Sequence, residues 1–109
     1  MSAATGKIQM LVTPDRLDAA AVDDFKKEFR QVLETSAVGV VVDLSRTMFI
    51  DSAGLGALVS LLKSCNQHGK RLAMASPTAQ IRQIIELTRL HRLLDIYDGV
   101  EAAKNAVLK

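Results

Sequence analysis

The chain has 109 residues, 49% of them hydrophobic, and a formal net charge of +2. That is one domain with enough apolar material for a packed core, which excludes disorder. Basic and acidic residues are interspersed, against a nucleic-acid binder with basic charge on one face; Arg82, Arg89 and Arg92 read as a solvated helix face. No apolar run reaches membrane-spanning length, and Met1-Ser2-Ala3-Ala4-Thr5 has no signal-peptide pattern, so the chain reads as soluble and cytoplasmic.

The first strand is expected over Lys7 to Val12, where Ile8, Met10 and Val12 alternate with Gln9 and Leu11. Thr13-Pro14-Asp15-Arg16 breaks it. A helix follows with Asp18 as its N-cap, and Val22, Phe25, Phe29, Val32 and Leu33 form its apolar stripe. Val38 to Leu44 is apolar on both faces, as suits the centre of a sheet covered by helices.

Phe49-Ile50-Asp51-Ser52-Ala53-Gly54-Leu55-Gly56 comes next. Leu55, Leu58, Val59 and Leu62 recur at helical spacing, so Ser52 falls at a loop-to-helix junction and is expected to be the N-cap. The first amides of a helix lack internal partners, and the dipole puts partial positive charge there. A phosphoryl group on Ser52 would be held as anions at helix N-termini are. Two readings of Ser52 stand on local physics: a phosphorylation switch, or a plain capping serine.

Gly54 and Gly56, in the first turns of this helix, have two readings as well: close approach of a partner, or tight packing within the domain. Of Met48, Phe49 and Ile50, some belong to the core and one is a candidate for an exposed docking patch. The helix ends near His68-Gly69, with Gly69 as a left-handed stop.

Arg71 to Ala75 is a short strand. Ser76-Pro77 restarts helix with Pro77 in its first turn, and Ile81, Ile84 and Ile85 line its buried side. Leu93 to Tyr97 is a last strand, and Asp98 caps a terminal helix with Val100, Ala103 and Val107 inward. Alternating strands and helices give an α/β domain over residues 1–109, with a mainly parallel mixed sheet of four to five strands and about four helices.

Enzyme chemistry finds little support. The serine lies between Asp51 and Ala53, not in Gly-x-Ser-x-Gly, and neither a Walker-type phosphate loop nor a metal-ligand spacing occurs. No cofactor or metal is expected. His68 reads as a helix-end residue at the negative end of the dipole, and His91 as a surface residue. Cys65 is the single cysteine, so no internal disulfide or CxxC pair is available, and its thiol reads as structural.

Val41-Val42-Asp43-Leu44-Ser45 followed by Phe49-Ile50-Asp51-Ser52-Ala53-Gly54-Leu55-Gly56 resembles the signature of STAS domains, more narrowly that of bacterial anti-sigma factor antagonists. The likeness runs from about Leu11 to the end, through Ser76-Pro77, the Ile81/Ile84/Ile85 helix and Leu93-Asp95-Ile96. It implies that Ser52 is phosphorylated by an anti-sigma factor that is also a serine kinase. The unphosphorylated form binds that kinase and frees a sigma factor, and a metal-dependent phosphatase of the PP2C type resets the cycle. The partner-binding face is then Asp18, Asp51, Ser52, Ala53, Gly54, Leu55 and Gly56. Asp18, within Arg16-Leu17-Asp18, matches the family's acidic residue near the serine.

A monomer is expected, with neither nucleic acid nor membrane as partner. The alternative is a constitutive STAS module in a transport ATPase or a stress-signalling scaffold, with no phosphate on the serine. Two departures from the family pattern stand out: few residues precede Lys7 to form the usual preceding strand, and Arg89 occupies a common glycine position.

Overall fold

The computed structural model describes residues 7–109. A strand preceding Lys7 would fall outside the described residues. Four strands, β1 (Ile8–Val12), β3 (Gly39–Asp43), β5 (Arg71–Ala75) and β6 (Ile96–Tyr97), form a sheet in the order β1-β3-β5-β6, parallel throughout. A second, two-stranded parallel sheet pairs β2 (Arg16–Leu17) with β4 (Phe49–Ile50). The described residues also form four α-helices: α1 (Val22–Leu33), α2 (Ser52–Gln67), α3 (Ala79–Leu87) and α4 (Val100–Leu108).

Alternation along β3 splits the core in two. Val40 and Val42 join Phe25 and Phe29 of α1, Leu58 and Leu61 of α2, and Ile81 and Ile85 of α3 on one face. Val41, Ala73 and Ala75 pack under Ala103 and Val107 of α4 on the other. Burial on both faces explains why the sequence of β3 reads as a continuous apolar run.

Several boundaries move for local physical reasons. Ala21, not Asp18, occupies the N-cap position of α1, without a side-chain bond. Asp18 instead closes a turn, its Oδ1 accepting from the Ala21 amide at 3.2 Å. Thr78 caps α3, its hydroxyl accepting from the Ile81 amide, so Pro77 precedes the helix. The strand expected over Leu93 to Tyr97 shortens to the two-residue β6, and a 3-10 turn (Leu90–Arg92) precedes it. Gly99 replaces Asp98 at the start of α4; the Asp98 carboxylate accepts from Arg82 at 2.8 Å. Gly69 stops α2 with a φ of 68°, as its position predicts. No helix of the described residues is long and apolar enough to cross a membrane.

All strands of the main sheet run the same way, so the loops leaving β1 and β3 meet at its C-terminal edge. Open α/β sheets carry their sites at that edge.

Candidate functional site

The β2–β4 pair builds the site. Two-residue strands are too short to show a period in sequence. The structure joins Arg16 to Phe49 and Leu17 to Ile50 in register. The Met48 and Phe49 amides donate to the Asp15 carbonyl at 2.8 and 3.2 Å. Beneath them, Thr13 and Thr47 are fully buried. Their hydroxyls meet, with the Asp43 and Pro14 carbonyl oxygens at 3.2 and 2.7 Å. Buried hydroxyls must find partners, and these find them across the two loops, fixing one against the other.

Period-two alternation then sorts the side chains. Leu17 and Ile50 point into the core, whereas Phe49 is 39% and neighbouring Met48 58% exposed. Of the three candidates, Ile50 is therefore core, and Met48 and Phe49 are surface. Arg16 lies on the outer side with Phe49, its guanidinium carbon 4.3 Å from the ring centroid. Its Nε donates to Asp18 Oδ2 at 3.3 Å.

Asp51, not Ser52, is the N-cap of α2. Its backbone is extended and its Oδ1 accepts from the Gly54 amide at 2.9 Å. The expectation that Ser52 caps the helix is thus corrected: aspartate caps as well as serine, and the adjacent Asp51 takes the position. The other oxygen, Oδ2, accepts from the Ala19 amide at 3.1 Å. These amides, the Gly54 bond foremost, hold the Asp51 carboxyl below the usual carboxylate range, against the opposing effect of desolvation.

Relieved of capping, Ser52 is the first helical residue and is exposed. Among the described residues its hydroxyl has no hydrogen-bond partner, which leaves the oxygen available to chemistry. The Asp18 turn is tied to the Ser52 junction through the Ala19–Asp51 bond, so Asp18 and Ser52 belong to one face.

The remaining expected partner-binding residues divide by exposure. Gly56 is exposed and a Cβ there would meet nothing within 4 Å. Ala53 and Leu55 are half-buried and pack on the core. Gly54 is buried, and a Cβ there would collide with the Leu17 carbonyl oxygen and lie 2.8 Å from Ile50 Cγ1. Its missing side chain serves packing of α2 on β2, not approach of a partner. Sequence reasoning missed Arg16 and Ala19; an arginine two positions before an aspartate in a loop carries too weak a signal.

A Ser-His hydrolase arrangement with His68 fails on distance. His68 closes α2, its Nδ1 2.8 Å from the Ser64 carbonyl. Sixteen residues of helix at about 1.5 Å each put it roughly 24 Å from Ser52. Cys65 is fully buried and burial pushes its thiol up to about 11, which makes it inert rather than nucleophilic.

Comparison with known proteins agrees with this geometry. A Thermotoga maritima protein described as an anti-sigma factor antagonist is 34% identical over 84 residues, 76% of this chain and 74% of that one. The anti-sigma-B factor antagonist of Staphylococcus aureus is 28% identical over 85 residues, 78% and 79% of the two chains. A crystal structure of a Thermotoga maritima anti-sigma factor antagonist superposes with a TM-score of 0.80 at 30% identity, covering 92% of this chain and 88% of the other. The Bacillus cell fate determinant SpoIIAA in its phosphorylated form shares the fold, with a TM-score of 0.64 at 17% identity over 97% and 95% of the chains. The STAS domain family matches residues 3–103; with that span and this fold, the chain belongs to the STAS domain family.

Proposed function

We propose that this protein is an anti-sigma factor antagonist whose docking face is centred on Ser52. In its unphosphorylated form it binds an anti-sigma factor that is also a serine kinase, and the sigma factor is freed. The observation that carries the proposal is the exposed, unbonded Ser52 hydroxyl at the first position of α2, held in place by Asp51 rather than by its own capping bond. Met48 and Phe49 supply the exposed apolar surface beside it, and relatives described as anti-sigma factor antagonists supply the partner class.

The kinase ends its own binding. Ser52 Oγ attacks the γ-phosphorus of ATP held by the kinase, an O–P bond forms, the bond to ADP breaks, and the hydroxyl proton passes to a base on the kinase. The product carries about −1.5 to −2 charges at neutral pH. The α2 dipole accommodates that charge with little refolding. Asp51 and Asp18 lie on the same face, so the added charge falls on the docking contact. Like-charge juxtaposition costs several kcal/mol, and each 1.4 kcal/mol is tenfold in affinity. A PP2C-type phosphatase hydrolyses the phosphoserine and restores the hydroxyl. The protein acts as a monomer in the cytoplasm, where sigma factors work.

The test is intact mass after incubation with ATP and lysate of the source cells, beside Ser52→Ala. One added phosphoryl group that maps to Ser52 and is absent from the variant supports the switch. No addition under several growth conditions, with partners still captured, points instead to a constitutive STAS module.

A further inference from the structure

The docking face contains a cation that the switch described above does not use. Arg16 sits in β2, directly across from Phe49, with its guanidinium over the ring and its Nε on Asp18. Both restraints are weak. The ion pair is a single 3.3 Å contact with the arginine side chain 64% exposed, and pairs of that kind contribute little. The stacking is also at the surface, where cation–π attraction is small. Neither contact uses the paired nitrogens of the guanidinium fork, the geometry arginine offers to phosphate.

The register brings Ser52 close. Arg16 pairs with Phe49, three residues before Ser52, and the Asp51 amide donates to the Leu17 carbonyl at 3.4 Å. A chain running straight on at about 3.3 Å per residue, with strands about 4.8 Å apart, would put the Arg16 and Ser52 Cα atoms about 11 Å apart. An extended arginine and a phosphoserine side chain span that distance together. Arg16 and Arg46 are the cations on the segments that meet at the site, Asp15, Asp18, Asp43 and Asp51 are the anions, and Asp24 and Glu28 of α1 line the same cleft as the two arginines.

We propose that Arg16 is the cation that answers a phosphoryl group on Ser52, leaving the Phe49 ring and the Asp18 carboxylate to pair with the phosphate. The inference rests on the phosphorylation proposed above and names how it is transmitted. A dianionic phosphate that takes both ends of the fork outcompetes one oxygen of Asp18. Asp18 then loses its counter-charge and Phe49 its cover. The modification of one hydroxyl thereby changes the charge and shape of the docking face at β2 and β4 as well as at α2, with two arrangements of one side chain as the bistable element.

The experiment installs phosphoserine at position 52 of the full chain by genetic encoding, so no kinase is needed. Phosphorus NMR follows the second phosphate ionisation, ordinarily near pH 6. In the protein with Arg16 its midpoint lies lower than in Arg16→Gln by roughly half a unit or more, while Arg46→Gln leaves it in place. Proton NMR gives an independent readout. The Arg16 side-chain protons, shielded by the Phe49 ring in the unmodified protein, lose that ring shift when position 52 carries phosphate. A midpoint that ignores Arg16→Gln, an equal response to Arg46→Gln, or an unchanged ring shift overturns the proposal. Since Arg16 is exposed, its replacement does not threaten the fold. Absence of any kinase for Ser52 would sink the phosphorylation reading while leaving these measurements intact.

Discussion

The Asp51 carboxylate reaches the Ala19 amide at 3.1 Å, across 32 positions of sequence. With its other oxygen on Gly54, one side chain starts α2 and anchors the Asp18 turn to it. Asp51→Ala removes both bonds and Asp51→Asn keeps one carbonyl acceptor. The expected order of melting temperature is wild type, then Asn, then Ala. Amide exchange at Ala19 and Gly54 should accelerate in the same order. Equal exchange in all three would show that the bridge does not hold the loop.

The same carboxylate predicts a pH dependence. The Gly54 and Ala19 amides hold its folded-state pKa below that of a free aspartate, so folding favours the ionised form. That contribution is fully present above the unfolded pKa and fades as pH falls through the lower folded one. Asp51→Asn should therefore lose less stability than wild type between pH 5 and the acid limit, read by urea denaturation at a series of pH values. Parallel curves would contradict the assignment.

Gly54 and Gly56 make opposite predictions. A methyl group at Gly54 meets the Leu17 carbonyl and Ile50, whereas at Gly56 it meets open space. Gly54→Ala should cost about 2–3 kcal/mol through overpacking. Gly56→Ala should gain about 0.5–1 kcal/mol from the reduced entropy of the unfolded chain. Chemical denaturation of the two variants decides this, and loss at both positions would mean that α2 sits closer to its surroundings than described.

The outline of the fold was legible where burial imposes a period. The β3 run, the apolar stripe of α1 and the Gly69 stop follow from side-chain chemistry alone. What escaped was built from tertiary contacts. Arg16–Leu17 and Phe49–Ile50 become strands because each supplies the other's partner, and neither carries a signal alone. The capping of α2 went to Asp51 rather than Ser52 because only the aspartate has a second oxygen for the Ala19 amide. At the start of α4 the Asp98 carboxylate pairs with Arg82 and Gly99 takes the cap position. The serine itself was legible from its signature; its freedom from capping was not.

Arg89 has a φ of 62°, a left-handed conformation that costs a non-glycine residue about 1–2 kcal/mol. It stands where the STAS resemblance expects glycine. Part of that strain is offset by the greater entropy glycine has when unfolded, so Arg89→Gly should raise stability by about 0.5–1 kcal/mol. Arg89→Ala, which keeps the same backbone penalty, should not. A urea titration showing both variants unchanged would mean the turn bears no strain.

Lys70 is buried, with its Nζ donating to the Thr35 and Ala37 carbonyls at 2.7 and 2.6 Å. Lys70→Met leaves two carbonyl oxygens without their donor, which should cost about 2–3 kcal/mol. The change lies at the start of β5, away from Ser52. Thermal stability should fall while phosphorylation of Ser52 at a temperature below the transition is unaffected.

The most direct test is the affinity of the anti-sigma factor of the source cell for two forms of this chain, unmodified and phosphorylated at Ser52, measured by calorimetry at one ionic strength. The unmodified chain should bind tightly and phosphorylation should weaken binding by at least about a hundredfold, the fall expected from several kcal/mol of like-charge repulsion. Equal affinity for both forms would contradict the proposed switch.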